Sequence, residues 1–292
     1  MNGIILIDKP LGKTSHDMVY FVRRLTGIKK VGHTGTLDPD ASGVLPVCIG
    51  KATKVCDMLT ASDKCYRATL VLGKTTDTQD ASGTVLTEQE VNVTADDILN
   101  TAKKFIGEIE QIPPMFSAIK KDGKKLYELA RQGITIEREP RKVTIHSIDV
   151  TDIDLERKLI EIDVHCSKGT YIRTLCEDIG NKLGCGAYMN TLRRTKSGGF
   201  RISECHTVEE LSEIKEQGNL TSVLIPIDKV FECYEKVVLD DFLAAKVRNG
   251  IRIRRAGLVN NALYRVYDKG GELLAVSRYN GAELVMEKSF WI

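Results

Sequence analysis

Asp38 and His33 are the residues in this chain whose types and setting most suggest covalent or proton-transfer chemistry. They lie in Gly32-His33-Thr34-Gly35-Thr36-Leu37-Asp38-Pro39-Asp40-Ala41-Ser42-Gly43. A carboxylate can attack carbon or remove a proton, and an imidazole can exchange protons near neutral pH. The segment is too rich in Gly and turn formers to be a helix or a strand interior. Pro39 biases Asp38 toward extended backbone. Taken alone, a turn Asp capping the next element beside a surface His accounts for this pattern. The surrounding Gly and Thr favour a second reading, because small residues let a substrate or another backbone come close. A further candidate is Cys166-Ser167-Lys168-Gly169-Thr170-Tyr171-Ile172-Arg173. It places Tyr171 and Arg173 at a strand-to-helix corner, where Arg173 can pair with a catalytic carboxylate or form a structural ion pair with another acid. The spacing leaves both open.

Several other chemistries are excluded by spacing. Gly50-Lys51 and Gly73-Lys74-Thr75 lack the Gly five residues upstream that a P-loop needs, and Gly184-Cys185-Gly186 lacks the third Gly of a dinucleotide fingerprint. The eight cysteines form no C-x-x-C pair, so a zinc site is disfavoured. They are expected to be mostly buried, reduced thiols. Met1 to Asp8 reads as a strand rather than a targeting segment, and no apolar run is long enough to span a bilayer. A cytoplasmic protein is expected.

The elements that must hold these loops can be read from periodicity. Residues 3–8 form an apolar strand. Ser15 can cap a helix with Met18, Val19, Phe21, Val22 and Leu25 on one face, ended by Gly27. Strands are expected at 44–49, at 64–72 (Tyr66, Ala68, Leu70 and Leu72 on one face), twice within 143–166, and at 187–202. Helices are expected at 52–59, 95–106, 171–183 and 207–216. Beyond Pro226 the pattern becomes short strands with turns at Asp268-Lys269-Gly270-Gly271 and Asn280-Gly281. A catalytic unit over 1–234 and a small β-rich domain over 235–292 are expected.

Formal net charge is only +2, so the distribution of charge matters more than its total. Between 118 and 142 stand eight Lys or Arg (120, 121, 124, 125, 131, 138, 141, 142) against four acids (122, 128, 137, 139), an excess of four. With Pro113-Pro114 before it, the stretch 113–142 reads as a basic, partly helical arm able to swing onto a polyanion. Lys29-Lys30, Arg193-Arg194 and Arg248/Arg252/Arg254/Arg255 add further clusters, together suggesting phosphate contacts along a shaped RNA.

Other blocks recur in a recognisable order. They include Asp8-Lys9-Pro10 with Gly12, Thr14 and Ser15; Gly50-Lys51-Ala52-Thr53-Lys54; Ser62-Asp63-Lys64 with Tyr66; Thr76-Asp77-Thr78; Pro113-Pro114-Met115 with Ser117; and Leu192-Arg193-Arg194. With the Asp38 loop and the Tyr171 corner, they resemble the TruB family of tRNA pseudouridine synthases over about residues 3–200. The resemblance implies an α/β (α+β) fold: a mixed, largely antiparallel sheet with an inserted basic arm and a C-terminal PUA-like RNA-binding domain. It implies isomerisation of the T-loop uridine at tRNA position 55, on a flipped base, with no cofactor and no metal. Asp38 would be the essential carboxylate, as nucleophile on ribose or uracil or as base at C2′. Arg173 would hold it charged and oriented, and Tyr171 would pack the base and accept a proton at C5. Tyr66 would stack on the flipped uracil, Leu192 would close its pocket and His33 would enter the T-loop. Lys9 and Lys54 would be basic positions nearby, structural or in contact with phosphate. The implied partner is the tRNA T-arm, met by a monomer without an obligatory protein partner or a membrane. The catalytic subunit of a guide-RNA pseudouridylation particle shares the core motifs. A plain RNA-binding or tRNA-folding module is the alternative from another class.

Overall fold

Seven strands form the spine of one mixed sheet, in the spatial order Gly3–Lys9, Ala41–Ile49, Ala187–Ser197, Lys64–Leu72, Leu159–Cys166, Arg141–Asp154, Gly107–Gln111. Short strands Val31–His33 and Phe200–Arg201 join Ala41–Ile49 and Ala187–Ser197. The computed structural model describes residues 1–121 and 123–291. Asp122, one of the four acids counted in the arm, and Ile292, the last residue of the expected C-terminal domain, lie outside them.

Every pairing in this sheet is antiparallel except one. Leu192, Arg193 and Arg194 run parallel to Ala41, Ser42 and Gly43, where the two halves of the sheet meet. Gly43 is required at that seam. It has φ +106°, and a Cβ there would collide with the Arg194 carbonyl. The seam thus begins two residues beyond Pro39.

Alternation decides which face each strand buries. Ala68, Leu70 and Leu72 join Ile145, Ile160, Ile162 and Val164 in a core covered by the helix Ile172–Leu183 through Leu175, Cys176 and Ile179. A second core packs Met18, Val19, Val22 and Leu25 of the helix Ser15–Thr26 on Ile5, Ile7, Leu45 and Val47. Helix starts are set locally by reciprocal capping boxes, Thr14 with Asp17, Thr94 with Asp97 and Thr207 with Glu210. The cap of the first helix is therefore Thr14 and not Ser15, because only Thr14 has an acid three residues on. Ser15 is left free to turn inward.

The stretch read as a basic arm begins and ends differently from its sequence pattern. Arg141 and Lys142 already belong to the sheet, opposite Gln111 and Glu110. Between them lie a hairpin pairing Lys120–Lys121 with Lys124–Lys125 and the short helix Leu126–Ala130. Past residue 234, a five-stranded sheet runs Glu235–Val238, Leu263–Tyr267, Leu273–Tyr279, Glu283–Ser289, Ile253–Arg254, with its own core around Tyr264, Val266, Leu274 and Leu284. Its Val276 and Phe290 also bury against Ile4, Leu6, Val44 and Phe231. Among the described residues, no helix is long and apolar enough to cross a membrane. All eight cysteines are free thiols, four of them buried and Cys233 exposed.

Candidate active site

The Asp38 loop is fastened at four points before its carboxylate is presented. Ser15, buried at the start of its helix, donates to the Leu37 carbonyl at 3.1 Å and accepts from the Leu37 amide at 2.8 Å. The Gly12 amide reaches the Pro39 carbonyl at 2.9 Å, and the Ala41 amide closes the turn on the Asp38 carbonyl at 3.1 Å. Lys9 is fully buried and spends its ammonium on the carbonyls of Pro10, Lys13 and Pro39. Burial pushes its pKa down to about 8, against the pull of Asp40 and Asp38. Lys9 thus holds the loop and offers RNA no exposed atom, so of its two expected parts the geometry fits the structural one. The Arg194 guanidinium is buried too, donating to the Val44 carbonyl at 2.7 Å and the Gly35 carbonyl at 3.2 Å.

So anchored, Asp38 keeps its side chain half-exposed and meets Arg173 at 3.2 Å. Arg173 is itself buried. Its other contacts are Asp80 at 3.1 Å, the Thr78 carbonyl at 3.3 Å and the Phe116 carbonyl at 2.8 Å. Arg173 pairs at once with the loop carboxylate and with a second acid. Asp80 is fixed in turn by the Thr78 and Ser82 hydroxyls at 2.7 and 2.6 Å. Gln79, between Thr78 and Asp80, takes a left-handed φ of +65° and is clamped by Thr174 at 2.8 Å and by Glu177. The loop 77–83 is therefore locked to the same helix that carries Arg173.

Tyr171 is the N-cap residue of that helix. Its backbone is gripped by the buried Gln111 amide, which accepts from the Tyr171 amide at 3.0 Å and donates to its carbonyl at 3.3 Å. Tyr66 projects from the opposite side of the site, in register with Arg194, and packs against the main core as Leu192 does. Burial raises both phenols above the ordinary tyrosine range; Arg194 opposes the rise at Tyr66, and at Tyr171 Ser117 opposes it most. Asp38 and Arg173 are in contact, Tyr171 stands two residues before Arg173 at the same helix start, and the Asp38 charge acts on both phenols. Leu192 stands at the seam, between Ala68 and Ala41.

Two expected residues sit apart from this group. His33 ends its strand opposite Val47, with Nδ1 buried and unpartnered. Burial, then the charge of His16, lowers its pKa. Lys54 is tied to the C-terminal sheet, donating to the Ser289 carbonyl at 2.8 Å and hydroxyl at 3.2 Å, while Lys288 donates back to the Lys54 carbonyl at 2.6 Å. Two of the sequence's basic clusters also need correction as phosphate contacts. Arg193 is paired with Asp8 at 2.6 Å and Arg194 is buried. Arg248 is neutralised by Asp268 at 2.6 Å and Glu272 at 3.0 Å. Arg252, Arg254 and Arg255 remain exposed.

A half-exposed carboxylate held by a buried guanidinium, its charge felt by two tyrosines, can act on a planar base. Comparison with known proteins supplies the context. The family profile "TruB family pseudouridylate synthase (N terminal domain)" matches residues 23–172, and "tRNA pseudouridylate synthase B C-terminal domain" matches 173–232. The tRNA pseudouridine synthase B of Clostridium perfringens (strain SM101 / Type A) is 46% identical over 99% of this chain and 98% of its own. That of Alkaliphilus oremlandii is 51% identical over 87% and 83%. Among solved structures, a chain of a Cbf5-Nop10-Gar1 complex superposes with a TM-score of 0.74 at 30% identity, covering 99% of this chain and 85% of that one.

Proposed function

From the premise that this chain belongs to the TruB family of pseudouridylate synthases and isomerises uridine in tRNA to pseudouridine, we propose that Asp38 is the reacting carboxylate and the T-loop uridine at position 55 its target. The reaction breaks the N1–C1′ bond, turns the uracil and rejoins it through C5, with the C5 proton lost and N1 protonated. The observation that carries this reading is the Asp38–Arg173 pair, buried on the arginine side and open on the carboxylate side. Arg173 keeps Asp38 aimed. The base must leave its stack to reach such a carboxylate. Tyr66 then stacks on it and Leu192 closes the pocket. With its phenol pushed upward by burial, Tyr171 holds too little phenolate to serve as a resting base, so its first part is to pack the base.

The substitution Tyr66→Ala is expected to lose turnover far more than tRNA affinity. Stacking of about 1–3 kcal/mol is a small part of a polyanion interface, yet it holds the reacting base. Equal losses in single-turnover rate and in filter binding would remove Tyr66 from the flipped-base position.

The basic arm, rooted at Phe116 beside Arg173, is proposed to cover the T-arm, with His33 entering the loop. The C-terminal sheet is proposed as a PUA-like RNA contact. Because Val276 and Phe290 bury against the catalytic core, removing this sheet would uncover that core. Reversing charge on the exposed rim is the cleaner test. Arg252→Glu with Arg254→Glu should weaken binding and flatten its salt dependence, by about one unit of log–log slope per lost phosphate contact, with little change in the chemical step. An unaltered slope would take this rim off the RNA.

The enzyme is proposed to act as a cytoplasmic monomer without a guide RNA. Purified chain incubated with an unmodified tRNA transcript should yield pseudouridine at the T-loop uridine. A requirement for added proteins or a guide RNA, or conversion at another site, would overturn this reading.

A further inference from the structure

Three ligating side chains that the chemistry at Asp38 does not use meet on the sheet. They are Asp63, directly before the Lys64–Leu72 strand, His165, next to last in Leu159–Cys166, and His146 of Arg141–Asp154. One ligand atom from each lies within 4.8 Å of the others. His146 Nε2 stands 3.1 Å from Asp63 Oδ2, and the two imidazole centroids are 4.6 Å apart.

Strand alternation brings them together. Ile145 is buried opposite Cys166, and Val164 and Cys166 are buried on either side of His165, so His146 and His165 both face outward. Pairing resumes with Ser147 opposite His165, so His146 is the extra residue of a β-bulge, and Ile148 returns to the core after it. A surface His–Asp ion pair is worth little on its own and gives no reason for the second imidazole.

We propose that Asp63, His146 and His165 bind a divalent ion of the Zn(II) class, with water completing the shell. Two imidazoles and one carboxylate suit Zn(II), Co(II) or Ni(II) and do not suit Mg²⁺ or Ca²⁺, which take oxygen ligands. Zn–N and Zn–O bonds of about 2.0–2.2 Å put tetrahedral ligand atoms about 3.4 Å apart. Closing from separations of up to 4.8 Å takes at most about 1.4 Å, within reach of rotation by the exposed Asp63 and His146 side chains. The ion would join three adjacent strands just ahead of Tyr66 and of the turn leading to Tyr171. It would clamp the scaffold and take no part in the isomerisation.

The full chain, freed of metal by a chelator, is titrated with Zn(II) against a chromophoric chelator and with Co(II) followed by visible absorption. One equivalent should bind, and the melting temperature should rise with free Zn(II). His146→Ala and His165→Ala should each weaken binding by at least about tenfold, while pseudouridine formation in metal-free buffer persists. Asp63→Asn keeps the side-chain volume and repeats the test should an alanine variant fail to fold. Absence of binding overturns the proposal. So does unchanged affinity in the variants, which would assign the metal to the free thiols.

Discussion

Asp38→Asn is expected to abolish pseudouridine formation while leaving tRNA affinity almost unchanged. The loss should be on the order of 10⁴-fold or more, the scale on which removal of a reacting group acts. Asn matches Asp in size, so Ser15, Gly12 and Lys9 can still hold the loop main chain. The Asn carbonyl can still accept from Arg173, and Asp80 still neutralises that guanidinium. The variant should therefore fold and bind, lacking only the charged nucleophile or base. Pseudouridine mapping in tRNA exposed to each protein, alongside filter binding, gives both numbers. Measurable conversion by the variant would remove Asp38 from the reaction. Parallel loss of affinity would instead make the loop a binding element, and the RNA-binding module would regain its standing.

What the sequence made legible was local. Periodicity marked the helices that begin at Ala95 and Val208, alternation marked the Lys64–Leu72 face, and Gly-Gly and Asn-Gly marked the C-terminal turns. Contacts made only by packing were not legible. Asp80 lies in a loop whose residue types say no more than turn, and it reaches Arg173 only because Gln79 is clamped to the arginine's helix. Arg193 and Arg194 are adjacent in a strand, so they point to opposite faces, and only the seam with Ala41–Gly43 shows which is buried. Lys54 carries the charge expected of a phosphate contact, yet its partner lies at Ser289 in another sheet. The His146 bulge is equally hidden, because a register shift of one residue leaves no mark on composition.

Arg173 should separate the two parts that the network combines. Its guanidinium reaches Asp38, Asp80 and the carbonyls of Thr78 and Phe116 from one buried position. Arg173→Ala leaves Asp80 and two carbonyls without their donor. A broken buried pair of this kind costs about 3–5 kcal/mol, so the variant should melt well below the wild type and lose activity. That result alone would not distinguish structure from chemistry. Arg173→Lys keeps the charge but not the planar fork, and one ammonium cannot serve four acceptors on different sides. It should recover much of the lost stability and little of the turnover, with kcat down by about 10²–10³-fold, as for loss of a preorganised donor, and KM little changed. The reason is geometric: Asp80 is the more buried acid and will hold the lysine, leaving Asp38 without the contact that orients it. A lysine variant with near wild-type kcat would show that charge near Asp38 suffices and that the fork serves only the fold.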